Sequence, residues 1–234
     1  VGSTSLSTSV SMVQVDFRNI KTVTTAHILD LGVTSSTFTT TTFVLLSGPQ
    51  YILSFMSYEP TSLLPHTINF QTQCVYNESG SAFLQMNQVP HSITITDMLF
   101  DLLNIAGNNA IGLLRAKPGT QPDYIFRSLQ VKRTTSGRTI LALESENSHM
   151  VISDSSWTES TSLETTLFSM RHTGTYSAVT VECNNNYFEN NTGGIVLYNI
   201  ANPTTFNSNT IFNTVGSTLL VKLIGTSTLT ATNN

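Results

Sequence analysis

The sequence predicts an all-β chain wound as a right-handed parallel β-helix, a solenoid of about eight coils of roughly 27 residues each. Three observations lead there. A short apolar burst recurs at a narrow spacing along the 234 residues. Each burst is preceded by a piece in which apolar and polar residues alternate, the period of a half-buried strand. β-branched residues dominate, and no segment carries a 3.6-residue period.

The burst consists of two apolar residues, any residue, and a third apolar residue. Its copies are Ile28-Leu29-Asp30-Leu31, Ile52-Leu53-Ser54-Phe55, Phe83-Leu84-Gln85-Met86 and Ile111-Gly112-Leu113-Leu114, in which only Gly112 departs from the form. Ile140-Leu141-Ala142-Leu143, Leu167-Phe168-Ser169-Met170, Ile195-Val196-Leu197-Tyr198 and Leu220-Val221-Lys222-Leu223 follow. Their first residues are 24, 31, 28, 29, 27, 28 and 25 residues apart. The alternating pieces include Val13 to Phe17, Ile68-Asn-Phe70, Ile93-Thr-Ile95 and Val179 to Cys183, and Leu229-Thr-Ala-Thr opens a ninth copy. Propeller blades run longer, at roughly 40 residues, and leucine-rich repeats keep a stricter consensus. Uneven spacing suits a β-helix, because only its solvent-facing corners change length. Glu59-Pro60, Leu63-Leu64-Pro65 and Lys117 to Pro122 read as such corner loops.

In this register Leu29, Leu53, Leu84, Leu141, Phe168, Val196 and Val221 form one interior column. The residue before each leaves two readings open. Either a corner turns both residues inward, or an apolar stripe runs along the outside and meets a partner.

Charged residues are only 10% of the chain, the net charge is −4, and 39% is hydrophobic. The exterior is therefore hydroxyl and amide, a composition that points to an extracellular or cell-surface protein. No basic cluster beyond Lys132-Arg133 offers a nucleic-acid surface. No apolar run approaches the roughly 18 residues of a membrane span. The opening VGSTSLSTSV has neither an initiating Met nor a signal peptide, so residues 1–234 read as one β-helical segment of a longer solenoid, uncapped at both ends. Uncapped sheet ends imply self-association or further chain.

Asn186 to Asn190 aligns over Asn209 to Asn213, so Asn186 with Asn209 and Asn190 with Asn213 can stack as amide ladders at a corner. Asn77-Glu-Ser79 and Asn190-Asn-Thr192 are N-glycosylation sequons. Arg115, Glu144 and Arg171 follow successive bursts and fall about 4.8 Å apart with alternating sign, His172 beside them. They form a structural charge ladder or a surface for an acidic sugar. Asp97 and Asp101 have no counterpart on other coils to make the spaced carboxylate pair of a glycosidase. The five His residues show no metal spacing, and no phosphate loop or nucleophile elbow occurs. No catalytic residue, metal or cofactor is therefore expected. Cys74 and Cys183 lie four coils apart, about 19 Å along the axis, too far for a disulfide.

Phe188-Glu-Asn-Asn191 followed by Gly193-Gly194-Ile195 resembles the FxxN and GGA(I/L/V) repeats of chlamydial polymorphic outer-membrane proteins. More widely the chain resembles the pectate-lyase-like right-handed β-helix superfamily. The resemblance implies adhesion or surface structure and not a reaction. Together with the uncapped ends and the sequons, the expectation is a non-enzymatic structural or adhesin-like rod or filament, glycosylated where secreted, whose partners are itself, other surface or matrix proteins, or glycans. The runner-up is a polysaccharide-processing β-helix or the shaft of a viral tailspike or fibre.

Overall fold

A computed structural model describes residues 9–21, 29–30, 35–44, 46, 51–54, 67–89, 91–172, 180–199, 203–215, 219–223 and 228–234. Strand follows strand in these residues, and no helix occurs among them. The strands line up as three parallel sheets that wind together into a solenoid with a repeat of about 27 residues. The first sheet has nine rungs, from Ser9–Val13 to Leu229–Thr230. The second has eight, from Asp16–Arg18 to Thr210–Phe212. The third carries the apolar bursts, from Leu29–Asp30 to Leu219–Leu223. The ninth rung of the first sheet is the copy expected to open at Leu229, where Leu229–Thr230 pairs with Thr204 and Thr205.

Alternation decides which side chains enter the rod. On the first sheet Phe38, Phe70, Ile95, Phe126, Ile152 and Cys183 are in register and buried, while Thr37, Asn69, Thr94 and Ile125 point outward between them. Stacking aromatic rings on adjacent rungs keeps the interior filled. Phe38 and Phe70 lie 4.5 Å apart at 7°, and Trp157 and Phe188 6.2 Å apart at 23°, both offset-stack distances.

On the third sheet Leu29, Leu53, Leu84, Gly112, Leu141 and Phe168 pair in one register. Leu84, Leu141 and Phe168 have no exposed surface. Gly112 interrupts the apolar form because a Cβ there would sit 2.7 Å from the Leu84 carbonyl oxygen. The preceding residues Ile52, Phe83, Ile111, Ile140 and Leu167 are also fully buried. The corner reading therefore holds for them, and they form no external apolar stripe; Ile28 lies outside the described residues.

Two members of the expected column fall elsewhere. The strand Thr161–His172 carries extra residues, and its pairing with Thr192–Asn199 shifts register before Phe168. The bulge absorbs Leu167, so Phe168 pairs with Ile195 and not Val196. Val196 pairs with Ser169 at the half-buried outer position, and Val221 pairs with Leu197 one step further along. The column continues through Ile195 and Leu219. Gly193, at φ 131° and with its notional Cβ 3.1 Å from the Leu167 nitrogen, is the glycine that lets the shorter coil pass under the bulge.

Candidate functional site

Turns from the first sheet to the second, and from the second to the third, are made by one residue in the left-handed region, except that the turn between Gln71 and Cys74 uses two, Thr72 and Gln73. Asp97, Ser128, Asp154, Asn185 and Ser208 occupy the first corner, and Glu78, Leu102, Arg133, Glu159 and Asn190 the second, all at φ between 50° and 57° except Arg133 at 45°. Each still donates its N–H to the coil beyond: Asp154 to Asn184 O at 3.1 Å, and Asn190 to Phe212 O at 3.1 Å. Asn and Asp tolerate this conformation best, which is one reason they gather at the corners.

The following residue turns back inside, and it holds the corner. Asn186 accepts the Ser155 N–H through Oδ1 at 3.1 Å and donates Nδ2 to the Ile152 carbonyl at 3.0 Å. Asn209 does the same one coil on, accepting from the Asn186 N–H at 3.0 Å and donating to the Cys183 carbonyl at 2.8 Å. Asn234 repeats it again, with the Asn209 N–H at 3.0 Å and the Phe206 carbonyl at 2.8 Å. Asn186 Nδ2 also donates to Asn209 Oδ1 at 3.0 Å. At the second corner Asn191 accepts the Ser160 N–H at 2.9 Å and donates to the Trp157 carbonyl at 2.7 Å. Ser155, Ser160 and Ser79 fill equivalent places through their hydroxyls. Every one of these side chains is at most 2% exposed, apart from terminal Asn234. They satisfy backbone groups that the turn would otherwise bury unpaired.

Asn186 and Asn209 thus lie in the amide ladder, whereas Asn190 and Asn213 do not. Both of the latter are exposed left-handed corner residues, at φ 53° and 46°, and the second-corner ladder residue is Asn191. Matching whole segments placed the amides one residue early. The available signal was an inward residue followed three positions later by Asn or Ser: Ile152 to Ser155, Trp157 to Ser160, Cys183 to Asn186, Phe188 to Asn191, Phe206 to Asn209.

Arg115, Glu144 and Arg171 pair in register on successive coils. Arg115 donates Nε and Nη2 to Glu144 Oε2 at 2.9 and 2.7 Å. Arg171 is exposed and makes no ion pair among the described residues. Arg115, Glu144, Glu146 and Arg171 line a shallow groove of 250 Å³. His172 is not part of that surface. It pairs with Ser145, faces the interior with no exposed area, and burial lowers its pKa. The strand alternation that puts Arg171 outside puts its neighbour inside.

Other charges are also tied between adjacent coils. Arg133 grips Asp101 with two guanidinium nitrogens, Arg138 meets Glu164 at 3.9 Å, and His149 lies between Asp123 at 4.0 Å and Glu182 at 3.4 Å. A wider groove of 820 Å³ follows the first corner over several coils, with Asp97, Ser128 and Asp154 on its wall. Among the described residues no His, Cys, Asp or Glu group could hold a metal ion. Cys74 and Cys183 are free and buried, and desolvation pushes both thiol pKa values up. Among the described residues no helix is long and apolar enough to cross a membrane.

The fold and its corners define a parallel β-solenoid with amide and hydroxyl ladders. No protein-family model, curated protein or solved structure matches the chain.

Proposed function

We propose that this chain is a non-enzymatic, extracellular or cell-surface β-helical rod with a structural or adhesive role. The observation that carries the reading is the direction in which its ionic groups are used. The Arg115–Glu144, Asp101–Arg133 and Arg138–Glu164 pairs each join one coil to the next. Acids and bases spent in this way brace the stack, and the remaining exterior is largely hydroxyl and amide. Such a surface stays soluble with few charges and presents a repeating face to other surface proteins, to glycans or to further copies of itself. The logic of Phe188, Asn191 and Gly193, as core residue, corner ladder and close-approach glycine, supports a kinship with the polymorphic outer-membrane repeats and with right-handed pectate-lyase-like β-helices.

The second reading, a polysaccharide-processing β-helix, draws on the 820 Å³ groove with Asp97 and Asp154 on its wall. Incubation with neutral and acidic polysaccharides separates the two. The structural reading expects no new reducing ends or unsaturated products. Turnover that disappears in Asp97→Asn or Asp154→Asn overturns it.

A further inference from the structure

We propose that Asn190 is the acceptor of an N-linked glycan and that Asn77, in the second sequon, stays bare in the folded rod. The inference rests on the extracellular reading above. Both sequons satisfy the sequence rule, so the difference between them comes from the coil.

Asn190 stands at the apex of a second-corner turn, exposed and left-handed at φ 53°. Its backbone N–H is satisfied by the Phe212 carbonyl at 3.1 Å, so the corner does not depend on its side chain. Its amide makes no hydrogen bond among the described residues, and Thr192, the hydroxyl residue of the sequon, is exposed as well. Between them Asn191 is 1% exposed and bonded to Ser160 and Trp157. The sequon is therefore divided by function: its middle residue anchors the turn, while its two outer residues face solvent. A bulky polar substituent on Asn190 starts from an exposed corner and can extend into solvent.

Asn77 is placed differently. It ends the strand Cys74–Asn77 and pairs with Val44 on one side and Asp101 on the other. Those neighbours are one rung, about 4.8 Å, away. Its Oδ1 is enclosed without a hydrogen-bond partner. Ser79 is 2% exposed, accepts the Leu46 N–H at 3.2 Å and donates to the Asn77 carbonyl at 3.0 Å. The residue is half-buried in the ladder, so a sugar on Nδ2 would rise between the side chains of the two adjacent rungs.

The donor is a lipid-pyrophosphate-linked oligosaccharide. The bond between the anomeric carbon and the pyrophosphate oxygen breaks, and a bond from that carbon to Asn190 Nδ2 forms. Nδ2 loses one proton, and the lipid pyrophosphate leaves. No oxidation or reduction is involved. Transfer acts on the nascent chain, and folding then retains the chains whose sugar lies outside the rod.

The test is expression of the full chain behind a cleavable signal sequence in a eukaryotic secretory host, with glycopeptide mass spectrometry of the folded secreted fraction. The expected result is an N-linked glycan on the Asn190 peptide and an unmodified Asn77 peptide. Thr192→Ala and Asn190→Gln should each remove the glycan and leave the β-sheet circular dichroism unchanged. An unmodified Asn190 in the secreted chain, or carbohydrate on Asn77 in the folded fraction, overturns the proposal. Surface labelling of the native chain on its own cells tests the location separately. A native chain found only inside the cell would remove the extracellular reading without altering the acceptor result in the host.

Discussion

Replacing Asn186 with Ala should destabilise the rod by about 2–4 kcal/mol. The side chain is 2% exposed. Its Oδ1 accepts the Ser155 N–H at 3.1 Å, and its Nδ2 donates to the Ile152 carbonyl at 3.0 Å. Alanine leaves the first group without an acceptor and takes one donor from the second, in a buried corner. A buried group left unpaired costs about 1–3 kcal/mol, and an ordinary hydrogen bond contributes about 1 kcal/mol. Adjacent Asn185 is the control. It is exposed, at φ 57°, and its one side-chain bond goes to Asp154 Oδ1 at 3.2 Å. Asn185→Ala should cost about 1 kcal/mol, chiefly from left-handed strain, and Asn185→Gly should relieve that strain. Urea unfolding followed by far-ultraviolet circular dichroism measures all three. A loss below about 0.5 kcal/mol for Asn186→Ala, within the range of ordinary surface substitutions, would refute the ladder account.

Leu141→Ala removes a fully buried residue from the third-sheet column and should cost about 2–5 kcal/mol in the same titration. Gly112→Ala forces a Cβ to within 2.7 Å of a backbone oxygen and should cost about 1–3 kcal/mol as overpacking, although Ala is ordinarily the better strand residue. Glu144→Gln breaks a part-exposed pair with Arg115 and should change stability by only about 0–1 kcal/mol. Burial lowers the His172 pKa below its unfolded value of 6.5, so the unfolded state binds the proton more readily. The associated stability is fully present above about pH 6.5 and declines as pH falls toward the folded pKa. Midpoints measured from pH 8 to pH 5 should fall, and His172→Asn should flatten that slope.

The coil plan was legible because burial repeats locally. Ile93-Thr-Ile95 and Ile140-Leu141 declare their faces without reference to distant chain, and the structure buries those four apolar residues completely. The register of the later coils was not legible letter by letter. Val196 looked equivalent to Phe168, but a bulge that absorbs Leu167 is a three-dimensional accommodation between coils of unequal length. Corner chemistry was half visible. Adjacent asparagines marked the turns, yet Asn190 and Asn191 have opposite roles, one exposed at φ 53° and one buried as an anchor. Only the inward residue three positions earlier distinguishes them. His172 followed Arg171 in sequence and so read as a surface neighbour, when alternation sends adjacent strand residues to opposite faces.

Disulfide trapping on the outer face of the first sheet tests the stacked-coil register most directly. Asn69, Thr94 and Ile125 occupy one column on three successive rungs, with Asn69 paired to Thr94 and Thr94 paired to Ile125. Adjacent rungs are about 4.8 Å apart, within reach of a disulfide, and alternate rungs about 9.6 Å, beyond it. Under mild oxidation the Asn69→Cys/Thr94→Cys and Thr94→Cys/Ile125→Cys chains should each close a bridge, while Asn69→Cys/Ile125→Cys should remain reduced. Bridging of the Asn69–Ile125 pair with neither adjacent pair closing would contradict the solenoid register.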